Sequence, residues 1–300
     1  MTRRSLIQSS SALLAACAGC APKRSEMRAQ IDELGKDLVI LTLGLGVSDV
    51  HGRHFGRLIL PEICTSIATV APDARCIAWV RCRLNGRSLE ARVGFGIIDS
   101  IRAPIDIPYE GMLPTQIAVS MNARHIAIQG VIRERKVVLM NGETGSVEYD
   151  LSNLVRPIAG EIERLGITPD GSKLAVGSRE HFMVVDVPSG RSLLTVNGRS
   201  PALSPDGTTV AFVDRRHRLI LKDLGTGTER YPMKGWSTYG VGRWSPDGRF
   251  LLAGAWVEMS LQWRLVAVDT RNGGFLVIGN LGEGDGGDKC EWVARQLIPA

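Results

Sequence analysis

Short apolar runs separated by compact polar turns recur along most of the chain. "SPDGTTVAF" (204–212) shows the unit, a Ser-Pro-Asp-Gly turn followed at once by apolar residues. The arrangement returns as "TPDGSKLAV" from Thr168 and "SPDGRFLLA" from Ser245, and in weaker form around Asp73 and Asn122. Apolar runs of about six residues between turn signals predict short β-strands.

A second turn signal follows each of the later units, where an apolar run enters Asp or Asn and glycine comes four residues on. The pairs are Asn141 with Gly145, Asp186 with Gly190, Asp223 with Gly227, and Asp269 with Gly273. The first unit has Asp99 without that glycine. Two signals in fixed order predict a four-stranded antiparallel sheet of about 40 residues, the size of a propeller blade.

The turn residues are explained by backbone geometry. Proline presets φ at the second position, Asp accepts a hydrogen bond from the backbone two residues on, and glycine adopts the left-handed conformation that returns the chain. These residues are therefore predicted to be structural corners and not ligand-binding groups. They are Asp73, Asn122, Asp170, Gly171, Asp206, Gly207, Asp247 and Gly248.

The spacing of the units predicts a single all-β domain over residues 38–300. Blades bury their faces against one another, so they are expected to close into a ring of about six. Five blades are explicit in the sequence. The sixth would combine "DLVILTLGLG" near the start with "CEWVARQLI" at the end. The chain has 34 glycines and only 5% aromatic residues, which fits a fold rich in tight turns.

The segment "LSPDGTTVAFVDRRHRLILKDLGTG" resembles the WD-like repeat of TolB-type propellers, and the resemblance extends over roughly residues 60–280. It implies a β-propeller of periplasmic or related bacterial type. Function is not implied, because this repeat serves scaffolds, peptidase-gating domains and enzymes alike.

The first residues, "MTRRSLIQSSSALLAACAGC", have a charged start, a short apolar middle and small residues before a cysteine. Residues 14–17 resemble the lipobox of bacterial lipoproteins, which implies a signal peptide over 1–16 and lipidation of Cys17. Cys20 is the alternative, but the "CAG" before it lacks the large apolar residue that begins a lipobox. Arg3 and Arg4 also resemble a twin-arginine signal, and both export routes remain open. Residues 17–37 are expected to form a lipidated tether.

The resemblance to lipoproteins implies a cell-envelope protein that is anchored by lipid and faces the periplasm. Ala18 follows Cys17, whereas an aspartate there often retains lipoproteins at the inner membrane, so the outer membrane is slightly favoured.

The charge balance argues against a nucleic-acid partner. The net charge is +5, and 34 basic residues face 31 acidic ones once Arg3 and Arg4 are removed with the signal. Basic runs such as "RRHR" from Arg215 lie beside hairpin strands, where charge keeps an exposed edge soluble. A G-x-S-x-G motif is absent, and the histidines and acidic clusters lack a metal-site spacing. We therefore assign no catalytic residue, metal or cofactor.

Cysteines flank the first turn. Cys64 and Cys82 lie nine positions on either side of Asp73, so they could face one another across a hairpin as a disulfide. Buried thiols are the alternative.

Partner-binding residues are expected near the central channel. Arg164, Arg199 and Arg243 precede the turns of neighbouring units and could line a cationic funnel. The favoured alternative is that each is a separate exposed arginine at the start of a strand. "GWSTYGVGRW" adds Trp236, Tyr239 and Trp244. Aromatics with arginine are typical of interface centres, although packing between blades would explain them equally well.

The sequence therefore favours a non-enzymatic scaffold that binds a protein or peptide. The alternative is a propeller enzyme of lactonase-like or lyase-like type with a metal in the channel.

Overall fold

The computed structural model describes residues 24–41, 46–48, 54–57, 68–85, 88–97, 100–106, 113–131, 135–257, 262–280 and 290–294. Within these ranges the chain is built almost entirely from β-strands. The helices are α1 (Arg24–Asp37) and the single turn α2 (Ser152–Val155), and Met121–Ala123 form a short 3-10 turn.

Five antiparallel sheets of four strands follow one another along the chain, each hydrogen-bonded in chain order. We call them the first to fifth blades. The first contains β4 (Ala68–Val70), β5 (Cys76–Asn85), β6 (Ser88–Ile97) and β7 (Ser100–Asp106). The second contains β8 (Leu113–Val119), β9 (His125–Val131), β10 (Arg135–Asn141) and β11 (Val147–Asp150). The third contains β12 (Ile162–Ile167), β13 (Lys173–Ser178), β14 (His181–Asp186) and β15 (Arg191–Asn197). The fourth contains β16 (Arg199–Leu203), β17 (Thr209–Val213), β18 (Leu219–Asp223) and β19 (Glu229–Arg230). The fifth contains β20 (Ser237–Trp244), β21 (Phe250–Val257), β22 (Gln262–Asp269) and β23 (Phe275–Asn280).

A further four-stranded sheet, here the terminal sheet, joins the two ends of the described chain. Its order is β24 (Glu291–Ala294), β1 (Leu38–Leu41), β2 (Gly46–Ser48) and β3 (His54–Arg57). Strands β24 and β1 are antiparallel, with Leu38 opposite Ala294 and Leu41 opposite Glu291.

The innermost strands of successive blades, β4, β8, β12, β16 and β20, contact one another in chain order. The prediction of an all-β propeller with four-stranded antiparallel blades is therefore confirmed.

The Ser-Pro-Asp-Gly corner is held by its own side chains. The Ser204 hydroxyl donates to Asp206 Oδ1 and accepts from the Thr209 N–H at 2.9 Å. Asp206 Oδ1 also accepts from the Thr208 N–H at 3.0 Å. Gly207 has a φ of +67°. In the first two blades, where the glycine is missing, Ala74 and Ala123 take the left-handed conformation at φ +60° and +56°.

Apolar side chains fill the space between neighbouring blades. Phe182 of the third blade, for example, packs against Phe212 of the fourth, with ring centroids 4.9 Å apart. Among the described residues, a separate apolar cluster lies between each pair of neighbouring blades from the first to the fifth.

Residues 24–37, expected to belong to the tether, pack on the propeller. Met27 and Ile31 of α1 are buried in one cluster with Ala74, Phe250 and Trp292. In the described part of the chain no helix is both long and apolar enough to cross a membrane.

The signal peptide, Cys17 and Cys64 lie outside the described residues, and of Cys82 only the backbone position in β5 is described. Lipidation and the Cys64–Cys82 disulfide therefore remain predictions.

Candidate functional site

The ring has two different edges. In each blade the first marker turn joins the first and second strands, and the second marker turn joins the third and fourth. Because the strands are antiparallel, both turns lie at the same edge, here the turn edge. Turns of neighbouring blades touch there, since the Met121 N–H donates to the Pro169 carbonyl at 3.0 Å. The opposite, loop edge carries the loops between second and third strands and the connections between blades.

Two of the three predicted arginines lie in the central channel. Arg164 of β12 donates from Nη2 to the Gly242 carbonyl at 3.1 Å, although the third and fifth blades are not neighbours. Arg243 of β20 donates from Nη2 to Thr69 Oγ1 of the first blade at 2.9 Å. Both side chains therefore cross the channel and tie distant blades together.

Arg243 lies four positions before the turn residue Asp247. The equivalent residues of the first to fourth blades are Thr69, Ala118, Gly166 and Ala202, all of them small. Of these, Thr69 accepts from Arg243, and a Cβ atom on Gly166 would lie in van der Waals contact with Arg243 Nη1, at 3.8 Å. The channel thus holds one long side chain at a position where the other blades have short ones.

The third arginine, Arg199, belongs to a separate cluster at the loop edge. Its Nη2 lies 2.7 Å from His217 Nδ1, and its guanidinium carbon lies 4.7 Å from the centre of the Tyr239 ring. Because arginine only donates, His217 Nδ1 is the acceptor in this arrangement. Stacking on Tyr239 adds a cation–π attraction.

Two tryptophans extend this cluster. Trp263 packs on Tyr239 with ring centroids 5.0 Å apart, and Trp256 packs on Trp263 at 4.7 Å. The tryptophans face each other across the register of β21 and β22. We call Arg199, His217, Tyr239, Trp256 and Trp263 the Arg199 cluster. Its exposed members are His217 and Tyr239, and Tyr239 is 40% accessible.

The loop between β17 and β18, residues 214–218 ("DRRHR"), borders the Arg199 cluster through His217. Asp214 and Arg218 form an ion pair at 2.7 Å. Burial acts to raise the pKa of Asp214, but hydrogen bonds from Arg218 and its charge outweigh burial and hold that pKa below its usual value. Arg215 and Arg216 are exposed to solvent.

The two remaining aromatic candidates pack inside the fold. Trp236 contacts Phe275 edge-to-face at 4.7 Å. Trp244 is buried between the fourth and fifth blades, and its Nε1 donates to the Ala202 carbonyl at 3.0 Å. Packing between blades accounts for both residues.

Among the described residues, no three His, Cys, Asp or Glu side chains are grouped so that they could hold a metal ion. The two segments that the sequence offered as weak metal-site candidates, the histidine-containing "DVHGRHFG" (49–56) and the acidic "GEGDGGDKCE" (282–291), lie largely outside that part of the chain.

Comparison with known proteins identifies the architecture. No family model and no curated protein matches the sequence. Among solved structures, TolB from Acinetobacter baumannii superimposes with a TM-score of 0.52 at 15% identity, and the match covers 71% of this chain. The fold is a TolB-type β-propeller. The match covers 54% of the TolB chain, so this chain spans about half of that protein's length.

In this TolB-type propeller the residues predicted to bind a partner lie in three different parts of the fold. Arg199 and Tyr239 meet at the loop edge, Arg164 and Arg243 lie in the channel, and Trp236 packs on a neighbouring ring. The sequence did not predict that His217, Trp256 and Trp263 lie beside Arg199 and Tyr239, because these contacts join separate hairpins. The local sequence feature that could have pointed to the cluster is the pair of tryptophans on either side of the loop between β21 and β22.

Proposed function

We propose that this protein is a non-enzymatic scaffold that binds a protein or peptide at the loop edge of its propeller. The observation that carries the proposal is the Arg199 cluster, in which an arginine stacks on an exposed tyrosine and two tryptophan rings continue the contact. Aromatic residues and arginine contribute most to the energy of protein interfaces, and the aromatic rings bury large surfaces at a low entropy cost.

The scaffold supports such a site by being rigid. Arg199 begins β16, Tyr239 is the third residue of β20, and the two tryptophans lie on paired strands of the fifth blade. Residues on hydrogen-bonded strands lose little freedom when a partner binds, so less of the contact energy is spent on ordering them.

Closure of the ring by a sixth blade is part of the proposal. Strand β24 of the terminal sheet contacts β20 of the fifth blade on one side and β4 of the first blade on the other. The terminal sheet is therefore well placed to complete a six-bladed ring, in which a strand from each end of the chain locks the structure.

We further propose that lipid on Cys17 anchors the protein in the cell envelope with the propeller facing the periplasm. The lipobox-like residues 14–17 support this, and residue Ala18 favours the outer membrane.

Photocrosslinking in the native host tests the scaffold proposal. The photoreactive residue p-benzoylphenylalanine replaces Tyr239 in the full chain. Tyr149, on the outer strand of the second blade, is the matched control because it is 38% exposed against 40% for Tyr239. We expect discrete adducts of higher mass from position 239 and none from position 149.

Equal adduct patterns at the two positions, or none at either, would contradict a specific loop-edge site. Metal analysis of the purified propeller tests the rival hypothesis of a channel enzyme. One equivalent of tightly bound metal together with no adduct at position 239 would replace the scaffold proposal.

A further inference from the structure

The Arg199 cluster is continuous with a basic loop. His217 joins the two, since its ring accepts from Arg199 while its backbone carbonyl accepts from the Thr238 N–H at 2.7 Å. Residue 217 has a φ of +59°, and the Asp214 carboxylate accepts from the N–H groups of Arg216 and Arg218. The loop is therefore a compact turn held in place against β20.

The charge of this region is positive. Four arginines lie here, at positions 199, 215, 216 and 218, against three carboxylates. These are Asp214, Glu180 and Glu229, of which Glu229 is joined to Arg218 through Tyr231. Asp214 is engaged by Arg218 at 2.7 Å. Glu180 is adjacent, because its carbonyl accepts from the Gly198 N–H, but no ion pair joins its carboxylate to Arg199 among the described residues. Arg215 and Arg216 extend into solvent without a described ion pair.

Arg199 itself keeps hydrogen-bonding capacity. Nη2 is used by His217, and Nε is buried without a partner among the described residues. Nη1 makes no hydrogen bond within the same residues. A carboxylate that reached this guanidinium would form a charge-assisted hydrogen bond, which is stronger than a neutral one. The adjacent exposed Tyr239 ring offers an apolar surface to the rest of the same ligand.

We infer that the Arg199 cluster and the 214–218 loop together bind an acidic peptide segment that also carries aromatic or apolar side chains. The inference rests on the proposed function and specifies the chemistry of the partner. Carboxylates of the peptide pair with Arg199, Arg215 and Arg216, and its apolar side chains pack on Tyr239 and Trp263.

The position of Arg199 favours a peptide over a membrane surface as the partner. Its guanidinium is stacked on the Tyr239 ring and its Nε is buried. A carboxylate on a flexible peptide side chain can reach the guanidinium beside Tyr239, whereas the headgroups of a planar membrane would meet chiefly the exposed Arg215 and Arg216.

Fluorescence anisotropy with the purified propeller tests the inference. The probe is a labelled peptide of alternating glutamate and tyrosine, and its control has lysine in place of glutamate. The double variant Arg215→Glu with Arg216→Glu reverses the exposed charges of the loop. Arg191→Glu with Arg271→Glu makes the same change in net charge at exposed turn-edge positions.

We expect the acidic peptide to bind and the lysine peptide not to bind. Reversal at 215 and 216 should weaken binding about tenfold, whereas reversal at 191 and 271 should change it less than about twofold, since exposed charges act mainly within a Debye length. Tyr239→Ala should also weaken binding about tenfold, with the thermal unfolding midpoint unchanged.

The inference is overturned if the two double variants weaken binding equally, or if the acidic peptide does not bind. Loop-dependent binding of phosphatidylglycerol vesicles or of a single-stranded oligonucleotide in place of the peptide would also overturn it. Repeating the crosslinking at position 239 with the 215/216 reversal separates the two proposals. If the 215/216 variant gives as many adducts as the wild type, the inference of an acidic partner is wrong but the scaffold proposal stands. If the protein with wild-type Arg215 and Arg216 gives no adducts, the scaffold proposal itself is contradicted.

Discussion

At the scale of single residues, three residues with different roles stabilise each Ser-Pro-Asp-Gly turn. Ser204 accepts from a backbone N–H on the returning strand, Asp206 accepts from the backbone two residues on, and Gly207 supplies the left-handed conformation. Sequence patterns predicted the roles of Asp and Gly from turn chemistry. The role of the serine was missed, because its hydroxyl acts across the turn on the N–H of residue 209.

Gly207→Val is expected to lower the free energy of unfolding by about 2 kcal/mol, because the left-handed conformation is costly for a β-branched residue. A Cβ there would also lie 3.1 Å from Thr168 Cγ2 of the neighbouring turn. Urea unfolding measures the change. Gly225→Val is the control, since its nearest neighbour would lie at 3.5 Å and its φ is not left-handed. An equal loss in both variants would contradict the role assigned to Gly207.

The carboxylate of Asp206 predicts a dependence of stability on pH. Burial acts to raise its pKa, but hydrogen bonds from Ser204 and Thr208 outweigh burial and place it below the ordinary 3.8. The folded state therefore favours the charged form. The resulting stability is present above pH 3.8 and is lost as pH falls through the lower, folded-state pKa.

Asp206→Asn should accordingly destabilise the protein at neutral pH and flatten the loss of stability below pH 4, as measured by urea unfolding across a pH series. Glu143→Gln, at an exposed turn position, is the comparison. If the variant loses stability on acidification as steeply as the wild type, Asp206 is not a source of that dependence.

At the scale of elements, two turn signals in fixed order were sufficient to predict four-stranded blades. That succeeds because each blade is stabilised by local hairpins whose register the turns set. The packing of α1 was harder to foresee, since its mean hydropathy is low and it contacts the core through few residues. Met27 and Ile31 are buried, and Leu34 is partly buried against the same cluster. Their partners include Trp292, which lies far away in the sequence.

Trp292→Ala is expected to cost about 3–5 kcal/mol, because the side chain is 2% exposed on the strand that joins both ends of the described chain. Trp292→Phe should cost much less, since Nε1 has no hydrogen-bond partner among the described residues. Calorimetry of both variants measures the difference. Similar unfolding temperatures for the two would show that burial at this strand contributes little.

At the scale of the whole molecule, the ring brings together residues that the sequence separates. Arg199, Tyr239 and Trp263 lie on three different hairpins, so no local pattern could group them. The same holds for the channel, where Arg164 and Gly242 are 78 positions apart. The repeats in the sequence predict which positions of different blades are structurally equivalent. The direction of each side chain then determines which residues contact one another.

Anchoring is also a property of the whole molecule. Cys17→Ala in the full chain should move the protein from the membrane pellet to the soluble fraction, because a single acylated residue would be the attachment. Immunoblotting of fractionated cells measures this, with Cys20→Ala as the control. Unchanged pelleting of the Cys17 variant would rule out this anchor.

Arg243 makes the repeats unequal. A ring of similar blades faces many near-equivalent ways to assemble, in which one repeat takes the place of another or a neighbouring molecule supplies a blade. At this position Arg243 contacts Thr69 of the first blade and lies beside Gly166 of the third, and none of the other four blades has a long side chain there. These contacts exist only when the fifth blade occupies its own place, so they favour the observed order of blades over its permutations.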